Sequence, residues 1–155
     1  MNIFDEFIGI INQIEREEIK YALVGGVAMA FYAEPRFTQD IDILLEPNDV
    51  DKTRRILQQN GYFESAEPWI FQNTPLTLRR FFKAVGNDHM IIDILVAGNK
   101  DHSAIIENAV IAQGEHGIAR VANKSDIIWL KRQRNSVQDQ ADIERLENED
   151  DRNSI

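Results

Sequence analysis

Residues 21–45 read YALVGGVAMAFYAEPRFTQDIDILL, and they carry the clearest signals for the fold. It opens with the apolar run YALV, which stops at Gly25-Gly26, and such a run before glycines is typical of a buried strand entering a tight turn. The alanine-rich segment that follows, residues 27–33, predicts a short helix that ends before a proline. Residues 41–45 predict a second strand. The stretch therefore predicts a strand, a glycine turn, a helix and another strand in close succession.

Two aspartates, Asp40 and Asp42, alternate with isoleucines in the second strand. Successive side chains of a strand point to opposite faces, so the two carboxylates share one face while Ile41 and Ile43 pack on the other. Neighbouring like charges repel, and each carboxylate favours a counter-charge. Mg²⁺ prefers oxygen ligands and is usually bound by one or two carboxylates together with phosphate and water. The pattern predicts a metal site, and the alternative is one turn-capping and one solvated aspartate.

Asp93 is a third carboxylate in a similar setting, because it interrupts the apolar segment MIIDILV at residues 90–96. A lone charge in an apolar strand is costly unless it is paired or binds a metal. If this strand lies beside the first aspartate strand, three carboxylates converge, which suits phosphoryl chemistry with two metal ions. The alternative is a salt bridge to Arg79 or Arg80 on the neighbouring predicted strand.

Gly25 and Gly26 complete the predicted site. Glycine lets backbone N–H groups approach phosphates closely, and the helix that follows offers its N-terminus to an anion. A plain tight turn is the alternative. With the acidic strand next in the chain, the two glycines predict a nucleotide-phosphate site beside the metal.

This arrangement resembles the signature of the nucleotidyltransferase fold superfamily, the DNA polymerase beta-like proteins: Gly-Gly, a short interval, Asp-x-Asp, and a third aspartate on a later strand. The form Arg36-x-Thr38-x-Asp40-x-Asp42 resembles the small stand-alone bacterial members. Several of those are linked to toxin–antitoxin or abortive-infection systems. The resemblance implies an α/β (α+β) fold, in which helices flank a mixed β-sheet and further helices follow at the C-terminus.

The C-terminal segment LKRQRNSVQDQADIERL extends the resemblance, since Lys131 is followed by a loop and then by Asp139 and Asp142. The loop at residues 135–138 departs from the family pattern because it lacks the expected Gly, Pro and Lys. We expect the two aspartates to orient the C-terminal helices, by pairing with Lys131 or with Arg134. Lys131 itself fits either a triphosphate contact or a solvated helix charge.

The resemblance also implies roles for the site residues. Asp40 and Asp42 would bind two Mg²⁺ ions, with Mn²⁺ as a substitute, and Asp93 would bind one of them and help to deprotonate the attacking hydroxyl. The reaction would move a nucleoside monophosphate from an NTP such as ATP to an acceptor hydroxyl, with release of pyrophosphate. The implied nucleotide-binding residues are Gly25, Gly26, Arg36, Thr38 and Lys131. Arg36 and Thr38 equally fit a role in ordering their loop.

The composition sets limits on the function. The chain has 155 residues, no cysteine and a net charge of −9, so disulfides and thiolate metal sites are excluded. The acidic balance argues against sequence-specific DNA binding. Without a signal peptide or an apolar run long enough to span a bilayer, we expect a cytoplasmic protein with no membrane association. We expect one nucleotidyltransferase domain at 1–148 and a polar, frayed tail at 149–155.

The remaining elements follow from periodicity and turn residues. Predicted helices cover residues 3–17, 50–60 with Asn48 or Asp49 as N-cap, a segment from Asp101 or Ser103 to 109, 126–134 capped by Ser125, and 138–148. Predicted strands cover 76–85, 90–96, 110–113 and 118–122, while 63–71 is ambiguous. His89, His102 and His116 lack ligand spacing and are expected in surface or turn positions, whereas Trp69 and Trp129 are expected in the core or a pocket wall.

Two functions remain open from the sequence. One is an active transferase, whose acceptor is a tRNA, a protein or a small molecule. The other is a catalytically weak or inactive binding module with the same fold, such as an antitoxin-like or regulatory subunit. The intact set of three aspartates favours the transferase. Since a chain of this length leaves little room for an acceptor-binding domain, a second subunit, such as a helical protein partner, is a further expectation.

Overall fold

The computed structural model describes residues 3–29, 31–32, 40–71 and 74–153. Arg36 and Thr38, which the sequence implicates in nucleotide binding, lie outside the described residues, as does the end of the predicted helix at Ala33.

The described residues form an α/β fold in which helices pack against one mixed sheet. The helices are α1 (Ile3–Arg16), α2 (Gly25–Met29), α3 (Val50–Gln59), α4 (Lys100–Glu107), α5 (Lys124–Arg134) and α6 (Val137–Asn153). The strands are β1 (Tyr21–Val24), β2 (Asp40–Leu45), β3 (Phe63–Glu64), β4 (Trp69–Ile70), β5 (Thr77–Val85), β6 (Asp88–Val96), β7 (Val110–Gly114) and β8 (Gly117–Val121). The predicted fold class is confirmed.

The sheet has the strand order β3-β5-β6-β2-β1-β8-β7, and β4 also pairs with β5. β2 lies in its middle, antiparallel to β1 and parallel to β6. Strands buried on both faces are rich in apolar residues, which explains the runs ILL in β2 and ILV in β6. The two aspartate-bearing strands are therefore direct neighbours at the centre of the sheet.

Helix α1 follows the predicted spacing and covers part of the sheet. Its apolar side chains Ile10, Ile11 and Ile14 are almost fully buried, as a helical stripe that faces a core requires. Burial of each such side chain contributes about 1.5–3 kcal/mol to stability. The hydrophobic core thus fixes the sheet, and with it the positions of β2 and β6.

Helices α4 and α5 begin with asparagine caps that the sequence analysis did not select. Asn99, rather than Asp101 or Ser103, accepts a hydrogen bond from a backbone N–H of the first turn of α4 at 3.0 Å. Asn123, rather than Ser125, does the same for α5 at 2.8 Å. Asparagine is as good an N-cap as serine or aspartate, so residue type alone did not decide between neighbouring candidates.

Other boundaries differ by a few residues from expectation. Asp49 occupies the N-cap position of α3, as predicted, but its side chain makes no capping hydrogen bond. The ambiguous segment 63–71 holds the short strands β3 and β4. Helix α6 continues to Asn153, past the predicted end near residue 148 and into the segment expected to be a frayed tail.

Candidate active site

The three predicted carboxylates lie on one face of the sheet where β2 and β6 meet. Asp42 of β2 is the register partner of Asp93 of β6, and Asp93 is in turn the partner of Arg80 of β5. Directly paired residues of adjacent strands put their side chains on the same face. Asp40, two residues before Asp42, shares that face. The strands therefore bring together one basic and three acidic side chains, which we call the acidic cluster.

Asp93 is held by Arg80. The guanidinium donates from Nε to one carboxylate oxygen at 2.8 Å and from Nη2 to the other at 2.9 Å. The side chain of Asp93 is only 3% exposed, and the Arg80 guanidinium also lies 5.6 Å from the centroid of the Trp69 ring. The salt bridge that the sequence left as an alternative for Asp93 is thus present, with Arg80 and not Arg79 as its partner.

Asp42 is in a different situation. Among the residues that the structure describes, none donates a hydrogen bond to its carboxylate. Burial, followed by repulsion from Asp93, raises the pKa of Asp42 to about 7, although the positive charge of Arg134 opposes the rise. An ionised carboxylate in such surroundings is stabilised by a nearby cation. The donor chemistry around Asp42 therefore suits a divalent metal ion.

Gly25 makes room for this carboxylate. Its φ of +72° lies in the left-handed region that favours glycine, and an added Cβ would overlap the carboxylate oxygen of Asp42 and lie 2.8 Å from its Cγ. The turn conformation and the close approach of Asp42 each require glycine at this position. A plain tight turn, the alternative for Gly25-Gly26, accounts for the first requirement and not for the second.

We expect Gly25→Ala to lower the free energy of unfolding by about 1–3 kcal/mol more than Gly86→Ala does. Gly86 is the matched control because its φ is also positive, at +60°, while an added Cβ there meets nothing within 4 Å. Both variants lose stability because alanine disfavours a positive φ. The difference between their free energies of unfolding therefore measures the cost of displacing the Asp42 carboxylate. Urea unfolding of the two variants and the wild type gives the comparison. Equal losses in both variants would contradict the proposed contact.

Helices α5 and α6 face each other through buried charges. Lys131 donates to Asp142 at 2.9 Å, and Arg134 donates to both oxygens of Asp139 at 2.9 and 2.6 Å. Lys131 is 3% exposed, and both aspartates are fully buried. The predicted pairing of Asp139 and Asp142 with Lys131 and Arg134 is confirmed.

The loop before α6 has its own structural role. The Ser136 hydroxyl accepts from the backbone N–H of Asp139 at 3.0 Å, and the Asp139 carboxylate accepts from the backbone N–H of Ser136 at 3.0 Å. This reciprocal pair is a capping box. Burial would raise the pKa of Asp139, but hydrogen bonds from Arg134 and Ser136 outweigh it and lower that pKa to about 2. The sequence Ser-x-x-Asp carries the signal, which the sequence analysis missed.

A cleft lies between Asp42 of the acidic cluster and helix α5. Asp42 and Gly25 line one side, Lys131 and Arg134 line the other, and most of the remaining wall is apolar, for example Leu130. Arg134 has a free donor here, since its Nη1 has no hydrogen-bond partner in the part of the chain that the structure describes. The cleft therefore places positive charge opposite the carboxylates, with Arg134 better placed than Lys131 to contact an anion.

His102 corrects the expectation of a surface or turn position for the histidines. It is fully buried, its Nδ1 accepts from the backbone N–H of Gly98 at 3.0 Å, and its Nε2 lies 3.4 Å from the Thr74 hydroxyl. Burial lowers the pKa of His102, so the neutral ring with a proton on Nε2 fits both contacts. Thr74 lines the cleft, and no sequence signal distinguished it.

Two kinds of feature are absent from the described ranges. No three histidine, aspartate or glutamate side chains there stand ready to bind a metal ion as a group. In the acidic cluster, both oxygens of Asp93 accept hydrogen bonds from Arg80. No helix in the same ranges combines the length and apolar character needed to cross a membrane.

A scan against protein-family models gives no match, and neither does a sequence search of curated proteins. Solved structures do match. The lincosamide antibiotic adenylyltransferase LnuA, with lincomycin bound, superposes with a TM-score of 0.60 at 16% identity over 92% of this chain and 95% of its own. A candidate nucleotidyltransferase from Thermotoga maritima gives 0.65 at 10% identity over 94% and 92%.

A third match is an antigenic nucleotidyltransferase-like protein from Paracoccidioides brasiliensis, with a TM-score of 0.56 at 13% identity over 94% of this chain and 75% of its own. Together these matches show that the chain has the nucleotidyltransferase fold. The fold resemblance stated from the sequence is confirmed, and at such identities a structural match shows the fold alone.

Proposed function

We propose that this chain is a nucleotidyltransferase that moves a nucleoside monophosphate from an NTP to an acceptor hydroxyl. One observation carries the proposal: Asp42 and Asp93 are register partners on adjacent central strands, beside Gly25 and opposite the positive charges of α5. The bond between the α-phosphorus and the pyrophosphate oxygen breaks, a bond from that phosphorus to the acceptor oxygen forms, and the acceptor hydroxyl loses its proton. Positioning and charge neutralisation are the main requirements of such chemistry.

The acidic cluster fits a divalent cation, because Asp42 has no donor among the described residues and its neighbours Asp40 and Asp93 are also acidic. Asp40 and Asp42 would hold Mg²⁺, or Mn²⁺ in its place, and two ions would need Asp93 as well. A bound divalent ion supplies positive charge to the phosphate oxygens at the reacting phosphorus.

The chain's own groups would bind and orient the triphosphate. The glycine turn at Gly25-Gly26 allows backbone N–H groups to approach phosphate oxygens. Arg134 would donate hydrogen bonds from its remaining Nη1 to the triphosphate from the other side of the cleft. Lys131, which is paired with Asp142, would add positive charge there. Asp93 would accept the proton of the attacking hydroxyl.

The acceptor that we propose is a hydroxyl on a small molecule, and the donor is ATP. LnuA is an adenylyltransferase with lincomycin bound, and its chain matches this one over nearly its whole length. The net charge of −9 also suits a small-molecule acceptor better than a nucleic acid. Other expectations from the sequence stay predictions: a tRNA or protein acceptor, a helical protein partner and a toxin–antitoxin role.

A non-catalytic binding module is the second candidate, and one observation favours it. Arg80 occupies both oxygens of Asp93, so the third carboxylate is engaged within the protein. In such a module Arg80 would neutralise Asp93, and the protein would bind a nucleotide without reaction.

We expect ATP with Mg²⁺ to stabilise the protein, because a ligand that binds the folded state adds about 2.7 kcal/mol at a concentration 100-fold above its Kd. Thermal unfolding with each of the four NTPs, with and without Mg²⁺, measures this effect. Incubation with α-³²P-labelled NTPs and a panel of hydroxyl-bearing antibiotics then shows whether label moves to an acceptor. Stabilisation without transfer to any acceptor or to any lysate component would favour the binding module. Neither stabilisation nor transfer would contradict both candidates.

A further inference from the structure

Arg80 is a positive group inside the acidic cluster, on the opposite side of Asp93 from Asp42. We propose that Arg80 competes with divalent cations for Asp93 and thereby sets the metal affinity of the site. The inference rests on the metal-binding part of the proposed function. It assigns Arg80 a positioning role: the residue holds the third carboxylate in place until a cation replaces it.

The geometry holds Arg80 on Asp93 from several sides. Two charge-assisted hydrogen bonds, at 2.8 and 2.9 Å, use both carboxylate oxygens. The guanidinium also lies over the Trp69 ring, at 5.6 Å from its centroid, and such cation–π contacts add to its attraction to this place. A cation that binds a carboxylate oxygen of Asp93 must therefore weaken or break these two hydrogen bonds, because it would use the same lone pairs as Arg80.

Because Asp93 is buried, departure of Arg80 from its carboxylate and binding of a divalent cation there are energetically coupled. A carboxylate that is 3% exposed needs a compensating charge in every state of the protein. Arg80 supplies it in the present arrangement, and its charge also interacts with Asp40 and Asp42. Without Arg80 the three carboxylates would lack this neighbouring cation, and a divalent ion would be bound more tightly.

Arg79 offers a matched control. It is the next residue along β5, so its side chain points to the other face of the sheet. It makes the same type of two-pronged pair, with Glu64 at 2.9 and 3.0 Å, away from the acidic cluster. Arg79→Gln therefore removes the same charge and the same kind of salt bridge without touching Asp93.

Titration of the full-length protein with MnCl₂, followed by electron paramagnetic resonance of the free ion, tests the inference. We expect Arg80→Gln to bind Mn²⁺ more tightly than the wild type, on the order of tenfold, and Arg79→Gln to match the wild type. Arg80→Lys keeps the charge but cannot form the fork, so an intermediate gain is expected. Thermal unfolding gives a second readout: without metal Arg80→Gln should melt below Arg79→Gln, and Mn²⁺ should raise its midpoint the most.

Two results would overturn the inference, and they differ in what else they affect. If the wild type binds Mn²⁺ and neither Arg80 variant binds it more tightly, Arg80 does not compete for the site, while the proposed function stands. If neither the wild type nor any variant binds Mn²⁺, the metal assignment of the proposed function fails together with the inference. Since Arg80→Lys retains a positive partner for Asp93, the comparison remains possible if Arg80→Gln does not fold without metal.

Discussion

Asp42→Asn is expected to reduce nucleotidyl transfer on the order of 10³-fold, and to make the protein more stable at pH 8 in the absence of metal. The loss of transfer follows from removing a charged oxygen that a divalent ion would need. The neighbouring carboxylate, Asp93 of β6, cannot easily replace it because it is engaged with Arg80. The substitution keeps the shape of the side chain and its place against Gly25.

The gain in stability follows from the pKa of Asp42, which is about 7 in the folded protein against an ordinary value of 3.8. The folded state therefore binds the carboxyl proton of Asp42 more tightly than the unfolded state does. The free energy of unfolding therefore falls as the pH rises from about 4 to about 7, and stays lower above that range. Asparagine cannot ionise, so the variant avoids the penalty, which we expect to be on the order of 1 kcal/mol or more at pH 8.

Thermal unfolding in EDTA at pH 4 and pH 8 measures the stability effect, and transfer of label from ATP measures the catalytic one. Asp51→Asn serves as control, because Asp51 is 79% exposed and pairs with Arg54 on the surface of α3. The control should change neither quantity appreciably. Full transfer activity in Asp42→Asn would remove Asp42 from the proposed metal site, and an equal stability at pH 8 would contradict the desolvation of its carboxylate.

The acidic cluster was predictable because its causes are local. Alternation along β2 puts Asp40 and Asp42 on one face from sequence alone. A charged residue within an apolar run marked Asp93 as needing a partner or a metal. The three carboxylates converge only if the strand of Asp93 lies beside that of Asp40 and Asp42. The structure shows that β6 and β2 are neighbours.

The partner of Asp93 was not predictable, because it depends on the register of the hairpin formed by β5 and β6. A two-residue turn, Gly86-Asn87, pairs Val85 with Asp88 and so places Arg80 opposite Asp93. The predicted strands at 76–85 and 90–96 leave this register open, because a turn one residue longer would move every pair by one position. Such a slip exchanges the faces of a strand, which is why the choice between Arg79 and Arg80 stayed open.

The C-terminal helices show the opposite case, in which a readable signal was missed. Ser136 and Asp139 have the spacing of a capping box, a local signal that predicts the start of α6 whatever family residues the loop lacks. The burial of His102 had no such signal, because it results from long-range packing beside Trp129 and Thr74.

Lys131→Met is expected to lower the free energy of unfolding by about 3–5 kcal/mol, since it leaves a buried carboxylate without its charged partner. Asp142 is fully buried and accepts from Lys131 at 2.9 Å. Urea unfolding measures the change. Arg132→Met is the matched control, because the neighbouring Arg132 is 62% exposed and pairs with Glu147 on the surface, where a pair contributes about 0–1 kcal/mol.

The solvated helix charge that the sequence allowed for Lys131 is wrong, because Lys131 is buried and paired with Asp142. The same variant separates the two remaining roles, which are to hold α6 through that pair and to contact the triphosphate. If Lys131 mainly holds α6, removing both charges in Lys131→Met/Asp142→Leu should restore much of the lost stability, because a buried pair replaced by apolar groups is often near neutral. ATP binding by this double variant should then be close to normal, while Arg134→Gln should weaken it through loss of the free Nη1 donor. If instead Lys131→Met is as stable as Arg132→Met and binds ATP poorly, the lysine contacts the triphosphate directly, and its hydrogen bond to Asp142 is secondary.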